Sequence, residues 1–505
     1  MIYILRLGNC LSVLNTLSLS IPSILDADKN LNYVMKYTQP NPASKIRTLT
    51  TTRITNDLSR GQTGFHIVIL YFLHCLRCAM SSIEVIGGKQ LKGEIKIQGS
   101  KNAALPIIAA TILNKGITIL KNCPKILDVF HMIKILEELG CKTSWDGNTL
   151  MVDSSNVTST SVSEESVSKM RSSILYLGAL LGRFHEVTIA YPGGCSIGKR
   201  PIDYHLNAIK KMNVTQEFLG EDDSIIHCYT DKIIGNDIFL EFPSVGATQN
   251  VILAAVLSEG VTRIFNAARE PEITEVCNYL TEAGARICGI GSAYIEVEGV
   301  KRLHDVEYRL SPDRIVAGTY MAAIAATKGD AVFTNTPIRQ LESTIRILKR
   351  VGCNIEVKED TVRIHSKQRP LHIDVLKTQP YPGFPTDMQS QLMTILCLAD
   401  GKSTIVEEIF ESRYQNVYEL RKMGAIISLE AKENKAIIAG IKRMQGAVVN
   451  AHDLRGGAAL IIAGLAAEGT TIVRDATYIE RGYEDICRDL TVLGAKTRYC
   501  SENAT

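Results

Sequence analysis

Apolar and polar positions along this chain recur with a long period. Six times a polar residue, or in one case glycine, opens an Ala-, Leu- and Ile-rich stretch that a glycine and a short β-like run then close. The openers are Lys101, Arg171, Gly246, Arg314, Asp387 and Arg455. The closing glycines, Gly116, Gly182, Gly260, Gly329, Gly401 and Gly469, lie 66, 78, 69, 72 and 68 residues apart. Such repetition marks one supersecondary unit used again and again, and a unit of about 70 residues exceeds the roughly 20–50 of common helical solenoids. It has room for strands and two helices.

The first helix of each unit is apolar nearly all round, which predicts burial rather than a surface position. In the first copy Ser100 is a suitable N-cap, and Gly116 a suitable stop before the strand Ile117-Thr118-Ile119-Leu120. A second, amphipathic helix follows, ending at Gly140, Gly284, Gly352 or Gly424. In the second copy Asn213 takes the glycine's place, and asparagine is the residue that next best tolerates a left-handed turn. Buried helices with aligned N-termini make an anion site, because each terminus carries unpaired N–H groups and partial positive charge. Lys and Arg beside them suit a polyanionic ligand.

At 505 residues and 45% hydrophobic content the chain can bury a large core in at least two domains, and six units divide into two sets of three. The apolar run Ile67–Leu73 is far too short for a membrane span, so no membrane partner is expected. Residues 1–79 stand outside the pattern. They carry eight Lys/Arg against three Asp/Glu, so the rest of the chain nets −2 and offers no electrostatic case for nucleic-acid binding. Met80-Ser81-Ser82-Ile83-Glu84-Val85 reads as an authentic start, and 1–79 as a disordered extension or misassigned start; a faint likeness to a transit peptide is the weaker reading. Thirteen cysteines without paired spacing indicate a reducing, cytoplasmic compartment, and Cys75-Leu76-Arg77-Cys78 has no second pair to complete a metal site.

Cys195 differs from the other cysteines. It lies in Tyr191-Pro192-Gly193-Gly194-Cys195-Ser196-Ile197-Gly198-Lys199-Arg200-Pro201, a hinged and electropositive loop of the kind that makes a thiol reactive. Cys277, Cys397 and Cys487 sit in apolar helical stretches and are expected to be buried.

With this loop the chain becomes recognisable. Residues 80–505 resemble the bacterial UDP-N-acetylglucosamine 1-carboxyvinyltransferases of the enolpyruvyl transferase family. Six motifs carry the resemblance in order: Gly99-Ser100-Lys101-Asn102-Ala103-Ala104, the Pro-Gly-Gly-Cys loop through Asp203, Phe242–Thr248, Phe384–Gln389, Asp453-Leu454-Arg455 and Glu480–Glu484. The resemblance implies an α/β fold of two inside-out α/β barrel domains, each of three repeats with buried helices. One domain is about 101–311, carrying the Cys195 loop. The other is discontinuous, 80–100 with 312–505, carrying Asp387, Asp453, Arg455 and Arg481. Closure of the two over a cleft would shut out water.

The resemblance also implies the reaction. The enolpyruvyl group of phosphoenolpyruvate passes to the 3′-hydroxyl of UDP-N-acetylglucosamine through a tetrahedral ketal, releasing phosphate at the start of peptidoglycan precursor synthesis. No metal and no separate cofactor is implied. Lys101, Asn102, Arg200, Arg455 and Arg481 match positions that bind phosphoenolpyruvate. Cys195 matches the general acid, which can also form an adduct with phosphoenolpyruvate and is the expected target of the epoxide fosfomycin. Lys199 and Arg200 favour its thiolate, whereas bound phosphate opposes them. Asp387 matches the base for the 3′-hydroxyl, although Thr386-Asp387 also reads as an ordinary helix start. Asp453 is expected to orient an arginine and share the proton work. Arg171, Arg200, Pro201, Ile202, Asp203, Tyr204, Phe242, Pro243, Ser244, Val245, Asp387, Ile409 and Arg413 match sugar-nucleotide contacts. His205 and His452 read as structural. The rival, 3-phosphoshikimate 1-carboxyvinyltransferase, shares fold and donor but lacks the Pro-Gly-Gly-Cys loop. A non-catalytic repeat scaffold would have lost some of these residues, and Lys101, Cys195, Arg200, Asp387, Asp453, Arg455 and Arg481 are all present.

Overall fold

The computed structural model describes residues 82–193, 202–220 and 223–500. The reading of residues 1–79 as an extension lies outside them, as do Cys195, Lys199, Arg200 and Pro201.

The apolar stretches form six helices: α1 (Lys101–Ala110), α2 (Leu175–Phe184), α3 (Val245–Ala255), α4 (Arg314–Thr327), α5 (Gln389–Cys397) and α6 (Leu454–Ala466). All fourteen residues of α4 and all nine of α5 are buried, although α5 carries Gln389, Ser390, Gln391 and Thr394 into the core. A central strand follows each helix: Ile117–Lys121, Glu186–Ala190, Val261–Phe265, Asp330–Thr334, Lys402–Val406 and Thr470–Arg474. Each centres a four-stranded sheet. It pairs in parallel with one neighbour and antiparallel with the other. An antiparallel outer strand completes each sheet.

Three sheets are completed by strands remote in sequence. Val306–Arg309 pairs with the first central strand, and Ser82–Ile86 lies between Thr470–Arg474 and Lys496–Cys500. Lys92–Lys96 joins the fourth sheet, pairing with Asp330–Thr334. The buried apolar side chains accordingly form two cores. One spans positions between Ala103 and Leu310; the other combines Ile83–Ile97 positions with those from Ile315 to Ala495. Among the described residues no helix is long and apolar enough to cross a membrane.

Helix starts follow the sequence more closely than helix ends. Ser100 Oγ accepts the Ala103 N–H at 3.3 Å, and Ser244 does the same for Ala247. The amphipathic helices stop in left-handed turns at Gly140, Gly284, Gly352 and Gly424, and Asn213 makes the same turn at φ 66°. Gly182 departs from the expectation. It lies inside α2, where a Cβ would come within 2.6 Å of the Leu253 carbonyl, and His185 makes the left-handed stop at φ 63°. Lys328 rather than Gly329 ends α4 in the same way, at φ 56°. Arg171 and Asp387 sit on short 3-10 turns just before α2 and α5, not in the helices themselves. The helical cysteines Cys277, Cys397 and Cys487 are buried, and burial pushes the Cys277 and Cys397 thiols up to about 12.

Candidate active site

Three of the repeat openers reach one charged cluster through the first turn of a buried helix. Lys101 begins α1, Arg314 begins α4 and Arg455 is the second residue of α6. None waits unpaired beside an N-terminus, as the sequence alone suggests. Lys101 Nζ lies 2.8 Å from Asp128 Oδ2, Arg314 makes a two-pronged bond to Glu272 at 3.0 and 3.2 Å, and Arg455 bonds Asp387 at 3.1 and 3.3 Å. The N-termini themselves are capped. Asp313 Oδ1 accepts the Ile315 and Val316 N–H groups while its Oδ2 accepts that of Lys101 at 2.9 Å. Asp453 Oδ1 accepts the Arg455 and Gly456 N–H groups, both at 2.9 Å.

Asp453 is a helix cap, and the carboxylate that orients the Arg455 side chain is Asp387. Asp387 gains Arg413 at 2.9 Å and Asn102 at 3.5 Å, and its side chain caps no helix. Its side chain is 28% exposed, against 4% and 3% for those of Arg455 and Arg413. Burial disfavours its charge, but Arg455, then Arg413, Lys101 and Arg314, outweigh burial and hold the carboxyl well below the usual carboxylate range.

Arg481 meets the cluster from a turn after the short helix Thr477–Glu480 and bonds Asp128 at 2.8 Å. Asp128 is thus shared by Lys101 and Arg481. Burial opposes its ionisation, yet the two cations bring its pKa to about 2. Lys101 is lowered in turn, chiefly by burial, with Asp128 opposing and Arg481 and Arg455 adding to the fall. Nη1 of Arg455 and Nε of Arg413 are buried without a hydrogen-bond partner. Buried guanidinium nitrogens left in that state suit acceptor oxygens of a ligand.

Ile409 joins this cluster through Glu407, which accepts its N–H at 3.0 Å and the Thr386 hydroxyl at 3.0 Å. The remaining expected contacts form a second set, apart from the hydrogen bonds of Asp387. Arg171 donates to the Pro192 carbonyl at 3.4 Å, at the entrance to the Cys195 loop. Ile202 is buried, and Asp203 and Tyr204 open the helix Asp203–Lys210. Phe242 is exposed, and Pro243 leads to the Ser244 cap and Val245 at the start of α3. His205 holds this set to α3 through Asn250, at 2.7 Å, which agrees with its structural reading. His452 lies 3.4 Å from Glu419. Asp128, Asp313, Glu272 and Glu407 were not singled out in the sequence. Only Arg314 carried a signal, its place in the repeat. Asp128 looks like any acid in the first turn of a helix, here Leu127–Glu138.

The model of the family described as EPSP synthase (3-phosphoshikimate 1-carboxyvinyltransferase) matches residues 85–490. The chain is 47% identical to UDP-N-acetylglucosamine 1-carboxyvinyltransferase 2 of Caldanaerobacter subterraneus subsp. tengcongensis, over 82% of this chain and 99% of that one. It is 44% identical to the UDP-N-acetylglucosamine 1-carboxyvinyltransferase of Finegoldia magna, over 82% and 98%. The crystal structure of the enolpyruvyl transferase NikO from Streptomyces tendae shares the fold, with TM-score 0.75 at 24% identity over 83% of this chain and 98% of that one. The chain belongs to the enolpyruvyl transferase family, and within it groups with proteins named UDP-N-acetylglucosamine 1-carboxyvinyltransferase.

Proposed function

We propose that this enzyme transfers the enolpyruvyl group of phosphoenolpyruvate to the 3′-hydroxyl of UDP-N-acetylglucosamine with release of phosphate. The observation that carries the reading is the convergence of Lys101, Arg455 and Arg481 with Asp387 in one buried cluster. Kinship at 47% identity to a carboxyvinyltransferase of that specificity supports it. Each half of the molecule, 101–311 and 80–100 with 312–505, is read as an inside-out barrel of three repeats, and the cytoplasm as the place of action.

In this mechanism Lys101, Asn102, Arg200, Arg455 and Arg481 bind phosphoenolpyruvate. The planar fork of arginine matches its carboxylate with two parallel bonds. Cys195 gives its thiol proton to the C3 methylene while the 3′-hydroxyl oxygen bonds to C2 and loses its proton to Asp387. A ketal results. Loss of a C3 proton and of phosphate then restores the double bond, now on the sugar. Asp387 held by Arg455 and Arg413 is a weak base. Substrate phosphate and carboxylate compete for those guanidiniums, and as they draw them off the carboxylate becomes more basic where the hydroxyl arrives. The Arg171, Ile202–Tyr204 and Phe242–Val245 segments, with Ile409, hold the sugar nucleotide.

Mass spectrometry of the acceptor tests the reading. UDP-N-acetylglucosamine incubated with phosphoenolpyruvate and the protein should gain one enolpyruvyl ether. Modification of shikimate 3-phosphate instead would move the assignment to the rival acceptor.

A further inference from the structure

We propose that Asp128 is a positioning residue for this reaction, an internal anion that holds Lys101 and Arg481 at one point until a substrate oxyanion takes them over. The proposal rests on the enolpyruvyl-transfer reading above. Lys101 and Arg481 lie 380 residues apart in the sequence and on different elements, α1 and the turn after Thr477–Glu480. Asp128 joins them, with Oδ2 2.8 Å from Lys101 Nζ and Oδ1 2.8 Å from Arg481 Nε. A second guanidinium contact, at 3.4 Å, makes the arginine bond two-pronged. The Asp128 side chain is 2% exposed, so its geometry is fixed by the helix Leu127–Glu138 rather than by solvent.

A carboxylate resembles one edge of a phosphate, and here it occupies the shared reach of two cations assigned to phosphoenolpyruvate. It has two opposed effects on the reaction. It competes with the substrate anion in the ground state, and it keeps both cations oriented for the moment when charge develops on the departing phosphate. Removing its charge should therefore tighten simple anion binding while slowing turnover. A purely structural residue would not divide the two.

Asp128→Asn in the full chain is the test, with folding checked by a thermal melt. Inorganic phosphate should bind more tightly, on the order of tenfold, because one charge beside two cations is gone. The kcat should fall by about 10²-fold, the scale of a misplaced catalytic contact. The groups facing Lys101 are Asp128, Arg481, Arg455 and Asp387, with Asp313 on its backbone N–H. Without Asp128 the cations prevail, so the alkaline limb of kcat/KM should move to lower pH. Asp128→Glu should leave that limb in place and recover part of the rate. A folded Asp128→Asn protein whose phosphate affinity is unchanged or weaker, with an unmoved alkaline limb, would overturn the proposal. If Asp128→Asn does not fold, Asp128→Glu decides. A reduced kcat with the parental limb supports the role, and a parental kcat contradicts it. Absence of acceptor-dependent turnover in the parent protein would sink the functional reading instead. The phosphate titration would then still decide the role of Asp128 as holder of the pair.

Discussion

Asp387 shows how much of a residue's role lies beyond its sequence context. The motif reads Asp387 as a base, with an ordinary helix start at Thr386-Asp387 as the lesser reading. The structure removes the cap, since the side chain bonds Asn102, Arg413 and Arg455 instead. Asp387→Ala should therefore act twice. Turnover should fall by about 10²–10⁴ if the carboxylate takes the hydroxyl proton. Stability should fall by about 3–5 kcal/mol, because Arg455 and Arg413 are left buried without their counterion. Steady-state kinetics and urea melts measure the two separately, and a rate loss below tenfold in a folded variant would remove the base assignment. Asp128 was illegible for the opposite reason, because an acid in a first helical turn is unremarkable until its partners from α1 and residue 481 are in place. Its depressed pKa has a direct consequence. The folded value is about 2 against an ordinary 3.8, so its stabilising effect is complete above about pH 4 and is lost as pH falls through 2. That difference corresponds to about 2 kcal/mol. An acid titration of unfolding free energy should show the loss between those values, and Asp128→Asn should remove that part of it.

Among the elements, starts and turns were legible because they depend on local chemistry. Ser100 caps its helix, and Asn213 adopts the left-handed turn that glycine makes in the other copies. Gly182 misled because a glycine can also serve close packing, and nothing local distinguishes that use from a helix stop. Gly178, one turn earlier, is the sharper case. Its N–H donates to Asn250 Oδ1 at 2.7 Å, and a Cβ there would lie 2.4 Å from the Asn250 carbonyl oxygen. Gly178→Ala should force α2 and α3 apart and cost about 1–3 kcal/mol or more. Because α3 also carries the Ser244 and Val245 contacts, KM for the sugar nucleotide should rise. A melt within 0.5 kcal/mol of the parent would show the helix pair to be less tightly fitted than its geometry indicates.

At the scale of the whole molecule, the repeat announced six copies of one unit, and the described residues form six four-stranded sheets. Periodicity could not reveal which strand completes which sheet. Val306–Arg309 and Ser82–Ile86 fill places that belong, by sequence order, to distant units, and such pairing leaves no local mark. The same limit applies to the site. Lys101, Arg314, Arg455 and Asp387 stood out at repeat positions, whereas Asp128 and Glu272, which pair with Lys101 and Arg314, come from elements that carry no such mark. Each of these cations is thus held by an internal carboxylate, and the site's affinity for anions depends on substrates displacing those partners. Phosphate release from phosphoenolpyruvate by the full chain, followed with and without UDP-N-acetylglucosamine, tests this account most directly. The account predicts release that requires the sugar nucleotide and falls by at least about 10²-fold in Asp387→Ala. Release indifferent to the sugar nucleotide, or silence from folded protein supplied with both substrates, would contradict it.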